Sequence, residues 1–255
     1  MSLPILDTAE RGIRRALTRN GLVLMAILFV LGLVGALLDA GVTRLFGVQF
    51  DPAAPTELSF ALPAAGVLAL SLVVSVLSLV VVIGAIRVFV SDETERLSSE
   101  VFTRRMTMAW LNAFVGAIVF GIVVALGFVA FIVPGFFLLV ALAFWTVYVA
   151  VEDEDFLTGM RRSWALTHGN RLSLFALGFV MFVVTFVVSI AFGIVGVLGA
   201  PVALVLAQAA SAVTTVLGIS VLATAYRTLT ADDEESPDAP TADPETPGAG
   251  AAGGV

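Results

Sequence analysis

Six long apolar runs, at about 21–38, 63–86, 108–132, 135–151, 172–198 and 202–225, constrain this chain more than any other feature. Crossing the hydrocarbon core takes about 20 mostly apolar residues in a helix, and each run approaches or exceeds that length. Inside hydrocarbon every backbone polar group needs a protein partner, which leaves helices as the form such runs take. The expected fold class is therefore all-α: a polytopic membrane protein, six transmembrane helices as three hairpins with short cytoplasmic amphipathic helices. Composition agrees, with 59% hydrophobic residues against 13% charged and a mean hydropathy of +1.06. That apolar excess is too large for one water-soluble core.

Arginine placement sets the expected orientation, because short cytoplasmic loops retain positive charge. With the N-terminus inside, Arg11, Arg14, Arg15 and Arg19 precede the first run, and Arg87, Arg96, Arg104 and Arg105 follow the second. Arg161, Arg162 and Arg171 lie between the fourth and fifth, and Arg227 follows the sixth. Across the outer connections only Arg44 appears, and the turns around Pro134 and Pro201 carry no charge. The chain is expected to be a multi-pass protein of the cell membrane with N- and C-termini cytoplasmic. Arg11 to Arg19 followed by an apolar run resembles a secretory signal, but no small-residue cleavage site closes the run, so it is expected to be retained. Pro134-Gly135 and Gly199-Ala200-Pro201 are expected to break the chain at two tight outer turns.

Three segments follow: 1–20, a cytoplasmic amphipathic segment; 21–230, the six-helix transmembrane domain; and 231–255, a disordered acidic cytoplasmic tail. The tail holds seven of the chain's 20 acidic residues, four prolines and a terminal Gly/Ala run, and it cannot bury enough surface to offset its ordering entropy. Lysine and cysteine are absent, while arginine occurs 13 times. Without cysteine there are no disulfides, thiol nucleophiles or cysteine metal sites. The lysine-free acidic balance matches halophilic proteins, since multimolar salt shortens the Debye length to about 3 Å and relieves carboxylate repulsion.

Short amphipathic segments, at 6–19, 98–106 and 156–167, precede the three hairpins. Each pairs two arginines with a later asparagine: Arg14-Arg15 with Asn20, Arg104-Arg105 with Asn112, and Arg161-Arg162 with Asn170. That echo fits either a triplicated unit or plain positive-inside anchoring. At 100° per residue, Phe156, Leu157, Met160, Trp164 and Thr167 cover one arc of the third segment, and Thr158, Arg161 and Arg162 point away. Such a helix is expected to lie on the membrane surface with its arginines on lipid phosphates. Asp153 or Asp155 caps its start, and Gly169 closes its end. The acids from Glu152 to Asp155 read as a solvated boundary. His168, the single histidine, suits the negative end of the helix dipole.

Residues 131–180 resemble the signature of a broad, uncharacterised family of six-helix integral-membrane proteins, related to the membrane domain fused to some glycerophosphoryl diester phosphodiesterases. The residues carrying the resemblance are Pro134 and Gly135 opening the fourth span, Glu152 at its end, and Arg162, Ser163, Trp164, Leu166, Thr167 and Gly169 before the fifth. Gly159-Met160 departs from the small residue and leucine usual there, and the sequence carries no soluble phosphodiesterase domain. The resemblance therefore implies a fold and no reaction, with halophilic members the nearest fit.

Within the spans no ionisable group lies away from an end, whereas ion and proton transporters keep such groups at depth. Arg87 is expected to snorkel to the cytoplasmic surface. Ser71, Ser75 and Ser78 share one helix face, as do Gln208, Ser211 and Thr215. They read as interhelical hydrogen bonding or as a polar lining. Small residues at Ala113, Ala117, Gly121 and Ala125, and at Gly193, Gly196 and Gly199, read as packing stripes. No cofactor, metal or nucleic-acid site is expected. The leading functional expectation is a non-enzymatic organising or accessory role toward membrane lipids or a protein partner, recognised through Arg161, Arg162, Ser163 and Trp164 or through the acidic tail. The alternative is a transporter or channel for an uncharged or amphipathic small molecule, lined by the two polar faces. An enzyme would have to work with Glu152, Asp153, Asp155 or His168 at a lipid headgroup.

Overall fold

The computed structural model describes residues 3–46, 63–91, 100–196 and 199–234. Ten helices follow in order: α1 (Ile5–Ala16), α2 (Arg19–Phe46), α3 (Ala64–Ser91), α4 (Glu100–Thr103), α5 (Met106–Ala130), α6 (Ile132–Ala141), α7 (Trp145–Val151), α8 (Phe156–Leu166), α9 (Arg171–Gly196) and α10 (Ala200–Glu234). No strand occurs among the described residues. Six of the apolar segments are long enough to cross a membrane, the fourth (Ile132–Val151) being α6 and α7 together. The expected fold class stands. Successive spans pack in pairs, α2 on α3, α5 on α6 and α9 on α10, and α10 also touches α1, α2 and α3. α10 is thus the central post. It runs on to Glu234 instead of ending at 230, and the rest of the acidic tail lies outside the described residues.

The outer surface is apolar, as a bilayer-solvated bundle requires. Met108, Leu111, Ile118 and Ile122 of α5 are exposed, and Phe179, Phe182 and Phe186 of α9 stack as an exposed ladder with centroids 6.4 and 6.2 Å apart. Of the small-residue stripe expected in the third span only Ala113 is buried in the core: Gly121 faces open space, and Ala117 and Ala125 are exposed. Gly193 in the fifth span also faces open space. Close approach falls at other glycines. A Cβ on Gly127 would lie 3.1 Å from the Gly135 Cα, so α5 and α6 meet backbone to backbone. Periodicity finds small residues on a common face, but only the neighbouring helix decides which face is covered.

Pro134-Gly135 does not break the chain. The turn falls at Phe131, whose backbone is extended, and Pro134 sits in the first turn of α6, where its missing N–H has no intrahelical acceptor to lose. At the turn before α10 Gly199 has φ +138, and Pro201 again lies inside the first turn of the helix. Of the segment expected at 98–106, the described part is the single turn α4 followed by Arg105 at φ 44, and residues 98 and 99 lie outside the described residues.

α1 packs into the bundle on α10 and α9. Thr8, Ala9, Gly12 and Ala16 are buried, while Glu10 and Arg14 pair on the exposed side at 2.9 Å. The Ser220 hydroxyl donates to the Gly12 carbonyl at 2.8 Å. A Cβ on Gly12 would come within 2.6 Å of the Val221 Cα, backbone that cannot move aside. Gly12→Ala is therefore expected to destabilise the fold by about 1–3 kcal/mol, as overpacking does, and to lower the thermal midpoint in detergent. Gly121→Ala, with open space around it, should leave that midpoint unchanged or raise it.

Candidate functional site

The fourth span is interrupted over 142–144, between α6 and α7. There the chain tightens into i→i−3 bonding, with Ala143 N–H on Val140 O at 3.2 Å and Trp145 N–H on Leu142 O at 3.3 Å. Such a turn leaves backbone groups that hydrocarbon cannot satisfy. α8 supplies the partners. The Ser163 hydroxyl accepts from Phe144 N–H and donates to Ala141 O, both at 3.0 Å, and the Thr167 hydroxyl donates to Ala141 O at 3.3 Å. Both residues are completely buried. A Cβ on Gly159 would lie 3.0 Å from Trp145 O, so α8 runs back along α7 at close range.

This placement gives the helix a face packed on the bundle that its hydrophobic arc did not mark. Gly159, Met160, Ser163 and Leu166 face inward, while Leu157 and Trp164 are exposed beside Arg161. The hydrophobic arc missed the inward face because a hydroxyl and a glycine carry its contacts. Of the four recognition candidates, Ser163 is therefore structural, and Arg162, though exposed, is engaged by Glu152 and Glu154. Arg161 and Trp164 are outward.

Glu152 and Asp155 are exposed and Asp153 and Glu154 half-buried, and within this boundary each carboxylate also has its own partners. Glu152 accepts from the Tyr226 hydroxyl of α10 at 2.6 Å and pairs with Arg162, which also reaches Glu154 at 3.2 Å. The Arg162 guanidinium covers the Tyr148 ring at 4.5 Å, and Tyr148 meets Tyr226 edge-on. Burial alone would lower the Arg162 pKa, but Glu152, Tyr148 and Glu154 outweigh it and raise it above the ordinary value. Asp153, at φ 56, takes Arg87 at 3.2 Å and Arg104 at 3.0 Å. Asp155 caps α8, as one of the two expected residues, accepting from the Leu157 and Thr158 N–H groups. The Thr158 hydroxyl and N–H, then Leu157 N–H and the Arg161 charge, hold its carboxyl below the usual carboxylate range. Gly169, at φ +87, ends α8 as expected, and His168 is exposed just before it.

Arg87 does not snorkel. Its side chain is 6% exposed, donating to Ala150 O and to Arg104 O, while Arg104 donates to Val151 O at 2.8 Å. Two guanidinium groups thus meet the last carbonyls of α7, where the helix dipole is negative. Removing one partner of a buried ion pair costs about 3–5 kcal/mol, so Asp153 anchors α3 to the end of α7.

The residues of the two polar faces have separate surroundings among the described residues. Ser75 and Ser78 donate back to carbonyls of their own helix, and the Ser71 hydroxyl makes no bond among the described residues. Gln208 is buried against Gly32 of α2, Ser211 is exposed and Thr215 is half-buried. A groove of about 590 Å³ lies elsewhere, between α6, α9 and α10, with Phe136, Phe175, Phe182, Gly178 and Gly218 among its walls. No polar side chain lines it. Beside it Arg171 lies against both Phe137 and Trp164, 4.7 and 4.5 Å from the ring centroids, and the two rings meet each other edge-on at 5.3 Å. Sequence reasoning counted Arg171 only toward orientation and missed both Tyr226 and the groove. No group of three or more metal-ligating residues occurs among the described residues.

Ser163→Ala would orphan Phe144 N–H and one of the donors on Ala141 O in a dry site, at a cost of about 1–3 kcal/mol. The expected readout is a lowered thermal midpoint in detergent, with faster proteolysis around 142–170. No curated protein and no solved structure matches the chain. A family profile described as Domain of unknown function (DUF7847) matches residues 3–231, nearly the whole described chain, and the protein belongs to that family.

Proposed function

We propose that this is a non-enzymatic, multi-pass protein of the cell membrane, both termini cytoplasmic, that organises membrane lipid. The observation carrying this reading is the groove between α6, α9 and α10, whose walls are apolar throughout. Such a surface suits hydrocarbon and offers a hydrated solute nothing to replace its water. The committed carboxylates support a role without chemistry: Glu152, Asp153 and Asp155 are each held by partners that fix the fold. Twelve of the 13 arginines on one set of connections support the orientation. The lysine-free composition fits a high-salt setting, and the acidic tail is a secondary contact for a protein partner.

Affinity purification from native membranes at high salt, in mild detergent, tests the role. Mass spectrometry of everything retained should find a lipid enriched above its share of the membrane, or a stoichiometric protein. A clean chain with only bulk lipid would remove the organising role. Because the chain has no cysteine, single cysteines at Ala53 and Ser236 test the orientation with an impermeant thiol reagent. Ala53 should react in intact cells and Ser236 only after lysis, and the reverse pattern would invert the assignment.

A further inference from the structure

The arginines of α3, α8, α9 and the turn before α5 differ in what occupies them. Arg87, Arg104 and Arg162 are matched by Asp153, Glu152 and Glu154. Arg171 has no carboxylate partner among the described residues; it is braced against the Phe137 and Trp164 rings, which meet each other edge-on, and donates to Trp164 O at 3.3 Å. Its Nε is shielded and makes no hydrogen bond. The rings hold the guanidinium in one place without neutralising it, as cation–π contacts do.

Arg171 opens α9, and at 100° per residue it shares a face with Leu174, Phe175, Gly178 and Phe182. Those four residues all line the groove. At about 1.5 Å per residue the apolar wall begins roughly 5 Å from Arg171 and continues for roughly 12 Å more along α9. On α6 the two features are adjacent residues: Phe136 lines the groove, in edge contact with Phe175 at 6.0 Å, and Phe137 lies against Arg171. Gly178 and Gly218 keep the groove open, since a Cβ on either would meet nothing within 4 Å.

A fixed, uncompensated cation at one end of an apolar groove has the complementary form of an anionic amphiphile. Building on the lipid-organising role above, we propose that the groove binds one acyl chain of an anionic membrane lipid whose headgroup phosphate sits on Arg171. Retention by the groove gives hold on the chain, and Arg171 gives selection for charge. A neutral lipid would satisfy the walls and leave the guanidinium unmatched.

The test reconstitutes the full chain in phosphatidylcholine vesicles containing a minor fraction of phosphatidylglycerol, extracts it in mild detergent, and quantifies bound lipid by mass spectrometry. The parent should carry phosphatidylglycerol above its share of the vesicle. Arg171→Gln should reduce that enrichment about fivefold, the effect of one arginine near an anionic headgroup. The double variant Gly178→Leu/Gly218→Leu should lose the retained lipid with its helical signal and thermal midpoint unchanged, and it decides the matter if Arg171→Gln does not fold. Phosphatidylglycerol at vesicle proportion in the parent would overturn the proposal, as would undiminished retention in the double variant. A dimer abolished by filling the groove would overturn it too, in favour of a second copy of the chain. Selective lipid that survives both variants would sink this site while leaving the lipid-organising role standing; absence of any selective lipid or partner in native membranes would remove both.

Discussion

A helix interrupted inside hydrocarbon must recover its freed backbone groups from protein, because lipid offers no donor or acceptor. That requirement falls on the turn at 142–144, and the rest of the arginine-bearing end is arranged around meeting it. Ser163 and Thr167 satisfy Ala141 O, and Ser163 also takes Phe144 N–H, which brings α8 back along α7. With α8 there, Arg162 covers Tyr148 and reaches Glu152, and Glu152 in turn receives the Tyr226 hydroxyl of the central helix. One backbone debt thereby joins α6, α7, α8 and α10.

The four acids after α7 perform the corresponding electrostatic task. Arg87 is buried, and a buried guanidinium is tolerated only with its donors satisfied and its charge matched. Asp153 provides the match, and the terminal carbonyls of α7 provide acceptors. Arg104, more exposed, completes the same cluster from the turn before α5. Arg171, set against two rings and one carbonyl with no carboxylate partner among the described residues, stands apart from this cluster.

Local rules made part of this readable. Asp155 caps α8 and Gly169 ends it because both effects act within a few residues of chain. The interruption of the fourth span was not readable: Leu142-Ala143-Phe144 contains no glycine or proline. Its partners lie 19 to 26 residues further on. Pro134 misled in the opposite sense, since a proline in a first turn starts a helix as readily as it stops one. The hydrophobic arc of 156–167 grouped the buried Met160 and Thr167 with the exposed Leu157 and Trp164, and it left out Ser163, whose buried hydroxyl is hydrogen-bonded.

Sequence alone determined the six apolar helices, the side of the connections that carries arginine, and the caps, because transfer into hydrocarbon and capping depend on a residue and its chain neighbours. Tertiary structure alone decided that Arg87 is buried, that the acids of 152–155 are divided among α3, α8, α10 and the turn before α5, and that the groove lies beside Arg171 and away from the serine and glutamine faces. The physical reason is range in sequence: ion pairs, ring contacts and open space depend on the distance between groups, and helix packing sets that distance for residues many turns apart in the chain.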